Sequence, residues 1–171
     1  LNLDNVRNAL LKPALYRLAA DQAAEKPVID RERIVAALEQ KEFFVEFQPK
    51  IDLQTGEICG AEALARWMTG EFGIISPDIF IPLVEQFGLM PELTQSILST
   101  AIADSRKLIQ ENPGFTVAVN VSGSLLSDLT LPERIENILR EHNVAPESLV
   151  VEVTESVAMS DVERAMDILL R

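Results

Sequence analysis

The sequence predicts an α/β fold in which a mostly parallel sheet, opened by a hairpin, is covered by helices. Three observations carry this expectation. First, Phe43 to Lys50 and Glu57 to Trp67 both alternate with period two, and Gln54-Thr55-Gly56-Glu57 between them is turn-forming. So short a connection makes the two strands antiparallel neighbours, since a parallel crossover takes roughly a dozen residues or more. Second, helical and strand patterns alternate from Ser76 to Arg171, as they do in parallel sheets covered by helices. Third, each main strand brings a polar residue to the face opposite its apolar one, toward the end where the sites of parallel α/β folds lie.

Residues 1–40 read as a helical connector. Leu3, Val6 and Leu10 have helical spacing, Pro13 and Lys26-Pro27 break it, and Asp30 is the expected N-cap of a helix through Gln40 with Ile34, Val35 and Leu38 on its apolar face. Residues 41–171 then read as the N-terminal part of a domain. In its first strand Phe43, Val45 and Phe47 share a face, with Phe44, Glu46, Gln48 and Lys50 on the other. Ser76-Pro77-Asp78 predicts a helix start with a capping hydroxyl and an acid near the positive end of the dipole, and Gly88 a stop. Pro91 opens a longer helix with Leu93, Ile97, Ala101 and Ile109 on one stripe, closed by Asn112-Pro113-Gly114. A strand follows from Phe115 to Ser122, a helix from Pro132 to His142, a strand from Leu149 to Thr154, and a final helix begins at the capping box Ser160-Asp161-Val162-Glu163. A (β/α)₈ barrel takes about 250 residues, so Phe43 to Arg171 covers about half of one.

Composition narrows the function. With 15 basic and 27 acidic residues, net charge −12, the chain repels polyanions, so DNA and RNA polymers are not expected partners. No apolar run approaches the roughly 20 residues of a membrane span, and no secretory signal opens the chain. Leu1 is not a natural start, which implies an upstream segment. The one cysteine, Cys59, is expected to be a small buried side chain in a reducing, cytoplasmic protein.

The stretch Gly60-Ala61-Glu62-Ala63-Leu64-Ala65-Arg66-Trp67 is the chemical centre. Parity places Ile58, Gly60, Glu62, Leu64 and Arg66 on one face and the alanines with Trp67 on the other. Burying a carboxylate or guanidinium unpaired costs several kcal/mol, so this face is expected to line a wet or metal-filled pocket. The same parity turns Asn120 inward in the 115–122 strand and Glu152 inward in the 149–154 strand. Glu62, Asn120 and Glu152 all offer oxygen, which suits a hard cation such as Mg²⁺ or Mn²⁺. Arg66 is either a structural partner of Glu62 or a phosphate contact. His142 sits at a helix C-terminus, where the dipole explains it, and Trp67 is a packing residue.

Glu62-Ala63-Leu64-Ala65-Arg66-Trp67 resembles the signature of the EAL domain family, phosphodiesterases that act on the bacterial second messenger cyclic di-GMP. Phe47-Gln48-Pro49, Ser76-Pro77 through Pro82, Glu85 to Leu89, Val119-Asn120-Val121-Ser122 and Glu152-Val153-Thr154-Glu155 resemble further family motifs in the family's order. The resemblance implies an EAL-type (β/α)₈ TIM-like barrel with an antiparallel first strand, of which the chain holds the first half. It implies that Glu62, Asn120 and Glu152 ligate two divalent metals, Mg²⁺ or Mn²⁺, and that Glu62, Glu152 and Glu155 are catalytic. Gln48, Leu64 and Arg66 would face the substrate, and Thr154 with Glu155 would brace a loop that completes the metal site. A metal-activated water would then open cyclic di-GMP to pGpG. The family's later aspartate pair, lysine, glutamate and glutamine are absent before Arg171, so turnover by these residues alone is not expected, and an open half barrel is expected to form a homodimer. The alternative is a catalytically inert cyclic di-GMP sensor or protein-interaction module. Leu1 to Leu11 resembles the last helix of a response-regulator receiver domain, which implies an upstream receiver.

Overall fold

The computed structural model describes residues 29–153 and Ile168; the expectations for residues 1–28, for Thr154 and Glu155 and for the capping box at 160–163 lie outside the described residues. The chain divides into two compact units. Among the described residues one comprises 29–47 and 64–97, the other 48–63 and 98–153 with Ile168. The strands form one sheet in the order β1-β2-β4-β5, with β3 paired to β2. No helix of the described residues is long and apolar enough to cross a membrane.

The first unit opens with α1 (Arg31–Glu39), and Asp30 caps it as the spacing predicts, its carboxylate accepting from the Arg33 amide at 2.8 Å. Ile34 and Ala37 are buried. The core is aromatic: Phe43 on β1 (Phe43–Ile51), Trp67 on β2 (Ile58–Thr69) and Phe80 on α2 (Pro77–Gln86) stand with ring centroids 5.1 to 6.0 Å apart, Trp67 edge-on to Phe80. Trp67 and Phe80 are fully buried. Glu42 ties this cluster to α1, accepting from Trp67 Nε1 at 2.8 Å and from Arg33 Nη2 at 2.5 Å, while the Arg33 guanidinium lies 5.2 Å from the Trp67 ring centroid.

Two local expectations are corrected in this unit. The sequence reading ran from β2 straight into the helix, yet β3 (Gly73–Ile75) folds back antiparallel on β2, pairing Thr69 with Gly73 and Trp67 with Ile75. The buried Thr69 hydroxyl makes this turn by accepting from the Phe72 amide and donating to the Gly73 carbonyl. Ser76 is the N-cap of α2, but its hydroxyl makes no capping bond; the side chain is exposed, and water can take the role. Gly88 ends α2 as expected. With φ +68° it lets Leu89 N reach the Val84 carbonyl while its own amide bonds Glu85, a left-handed cap closed by the buried pair Val84 and Leu89.

The second unit contains the hairpin turn, the later part of α3 (Met90–Glu111), β4 (Thr116–Val121), α4 (Leu131–His142) and β5 (Leu149–Val153). The Asp52 carboxylate organises the turn, accepting from the Gln54 and Thr55 amides, and these bonds hold its pKa below the usual carboxylate value. Beyond the turn β2 runs parallel to β4, with Gly60 opposite Thr116 and Glu62 opposite Ala118, and β4 runs parallel to β5, with Asn120 opposite Glu152. The alternation is the predicted one: Val117, Val119 and Val121 are wholly buried, whereas Asn120 is exposed. A Cβ on Gly60 would stand 2.6 Å from the Thr116 carbonyl oxygen, so the close approach of β2 to β4 requires glycine there. Cys59 is exposed, with its thiol 3.5 Å from the Lys50 carbonyl oxygen. The expected buried packing role is therefore corrected, because burial on that face of β2 begins only at Ala61.

Candidate active site

Three parallel strands build the site. Glu62 rises from β2 on the face opposite the buried Ala61 and Ala63, Asn120 from the end of β4, and Glu152 from β5. Their period-two positions put them on one face, and the register sets their spacing, with Asn120 level with Glu152 and one pleat beyond Ala118, the residue level with Glu62. Asn120 Nδ2 donates to Glu62 Oε1 at 2.6 Å. Glu152 Oε1 accepts from Lys50 Nζ, also at 2.6 Å. The second oxygen of each carboxylate has no hydrogen-bond partner among the described residues.

Lys50 was on the expected face, next in parity after Gln48, but its role was missed. Alternation shows which way a side chain points, while the identity of a partner 102 residues away depends on the assembled sheet. Arg66 resolves differently from expectation. Its Nε donates to Glu46 at 2.7 Å and its Nη1 to the Ala65 carbonyl at 2.8 Å, so its acidic partner is Glu46 on β1, not Glu62. The Arg66 and Glu46 side chains are mostly buried, at 20% and 15% exposure. Gln48 is exposed, and Leu64 is half-buried between Glu62 and Arg66 in the parity of β2. Thr154 and Glu155 lie outside the described residues.

The donor chemistry admits a hard cation but does not enclose one. Two carboxylates and an amide are present, and among the described residues no group of three or more His, Cys, Asp or Glu could hold a metal ion. The nitrogen donors of Asn120 and Lys50 occupy one oxygen of each carboxylate, so a cation would share each carboxylate with a donor or displace it. A half-turn of the Asn120 amide would present its Oδ1 instead.

Residues 31–171 match the profile of the EAL domain family. The chain is 32% identical over 169 residues to "Cyclic di-GMP phosphodiesterase PA2567" of Pseudomonas aeruginosa, covering 98% of this chain and 29% of that protein. It is 33% identical over 138 residues to "Cyclic di-GMP phosphodiesterase RocR" of the same organism, covering 81% of this chain and 35% of that protein. It thus spans about a third of the length of these two relatives. The solved structure of the PaMucR phosphodiesterase in complex with c-di-GMP superposes with a TM-score of 0.74 at 32% identity, over 81% of this chain and 57% of that one. The mixed α/β architecture with its parallel sheet is that of part of an EAL TIM barrel. Profile, relatives and fold agree with the motif on β2: the chain belongs to the EAL domain family.

Proposed function

We propose that the chain supplies the Glu62, Asn120 and Glu152 part of the active site of a cyclic di-GMP phosphodiesterase. One observation carries the reading: parallel strands bring these three residues to one face, Asn120 bonded to Glu62 and level with Glu152, in a chain whose relatives are named for this activity. Oxygen donors of this kind match Mg²⁺ or Mn²⁺, ions that when bound supply an activated water and neutralise phosphate charge. Glu62 and Glu152 offer their carboxylates to such ions, and Asn120 its amide oxygen. Glu46 fixes the Arg66 guanidinium, which keeps an N–H without a partner among the described residues to meet a phosphate, while Gln48 and Leu64 would face the substrate.

The test is hydrolysis of cyclic di-GMP to pGpG by the full-length protein with Mg²⁺ or Mn²⁺. Turnover that Glu62→Ala lowers by about a hundredfold or more is expected, the scale of losing a group that holds the reacting charge. An unaffected Glu62→Ala enzyme overturns the assignment. Absence of turnover, with a thermal shift on adding cyclic di-GMP and Ca²⁺, would replace the enzyme by a binding module.

A further inference from the structure

Glu152 is not waiting empty for a ligand. Its Oε1 is held at 2.6 Å by the ammonium of Lys50, which reaches it from β1 across 102 residues of sequence. Both side chains remain open to solvent, at 38% and 37% exposure, so the pair can exchange its partners through water. An ammonium has three donors and no acceptor; it satisfies a carboxylate but cannot coordinate a metal. It also carries a charge of the sign that a divalent ion brings, and like charges sharing one carboxylate repel.

We propose that Lys50 is the resident counter-ion of Glu152, an occupant that competes with a divalent cation for the carboxylate. The inference rests on the reading of Glu152 as a metal ligand. It gives Lys50 a role distinct from those of the ligands: Lys50 keeps the carboxylate neutralised in the cation-free protein and thereby weakens cation binding. A rival role would be positioning, in which Lys50 holds Glu152 where the cation needs it, and the two roles move affinity in opposite directions.

The experiment is Mn²⁺ binding to the full-length protein, followed by the electron paramagnetic resonance signal of free Mn²⁺, with no substrate present. Lys50→Met is expected to tighten Kd by about threefold to tenfold, the scale of removing a half-exposed ion pair together with its repulsion of the incoming charge. Lys50→Arg, which keeps the charge, is expected to stay near the wild-type Kd. Lys50→Gln gives the same reading as Lys50→Met if the methionine variant does not fold. Unchanged or weaker binding in the neutral variants overturns the role of Lys50 while leaving the metal site standing. Failure of the wild-type and the variants alike to bind Mn²⁺ overturns both.

Discussion

The chain uses a glutamate with nitrogen donors around it in two places, and the two behave as different devices. Around Glu42 the donors are Trp67 Nε1 and the Arg33 guanidinium, set against a wholly buried indole and the rings of Phe43 and Phe80, and the Glu42 side chain is only 18% exposed. Around Glu62 and Glu152 the donors are Asn120 and Lys50, and the Lys50–Glu152 pair is more than a third exposed. Hydrogen-bond lengths hardly differ between the two places. Burial does, and it decides the outcome. In the first, the indole N–H of Trp67 is wholly buried and water does not readily replace its acceptor, although Arg33 is 32% exposed, so the arrangement holds the fold; in the second, water or an ion can reach both partners, so the carboxylates stay open to a ligand.

Breaking the buried device should show the largest effect. Trp67→Ala is expected to lower unfolding stability in urea by about 3–5 kcal/mol, whereas Glu62→Gln should change it by less than about 1 kcal/mol. Equal losses would erase the distinction drawn here. Next in size, Glu42→Ala leaves the buried indole N–H without its acceptor and is expected to cost about 1–3 kcal/mol in the same measurement. The smallest effect concerns a third acid of the second unit, Asp128. Its carboxylate accepts from the Thr130 hydroxyl and amide and pairs with Arg134, and these contacts hold its pKa below the ordinary 3.8. A depressed folded-state pKa contributes stability that is full above the unfolded value and lost as pH falls below it. The urea midpoint advantage of the wild type over Asp128→Asn should therefore persist at neutral pH and shrink as pH drops through 3.8 and below. An advantage that does not vary with pH would show that the carboxylate's charge is not what matters.

Much of this was legible because strand periodicity is a local property. Parity along β2, β4 and β5 turned Glu62, Asn120 and Glu152 to one face, and the wholly buried valines of β4 confirm the alternation. The caps at Asp30 and Gly88 were legible for the same reason, each being set by a few neighbouring residues. What escaped depended on where other segments end. Arg66 has two acids in plausible reach by parity, and only the pairing of β1 with β2 selects Glu46. Cys59 sits in an apolar strand whose cover does not extend to it. The short strand β3 depends on one glycine at φ +69°, Gly73, and on the two hydrogen bonds of the Thr69 hydroxyl, too few residues to leave a periodic signal.

The sequence separations of the site contacts bear on when the site comes into being. The aromatic unit's Glu42 reaches partners 9 and 25 residues away, whereas Asn120 meets Glu62 across 58 residues and Lys50 meets Glu152 across 102. Contacts that close long loops form late, because the chain between them must first be ordered. During synthesis, Glu62 leaves the ribosome well before Asn120 exists, and Lys50 waits longer still for Glu152. The candidate site is thus a late product of folding, and a nascent chain can hold its aromatic core before that site has formed.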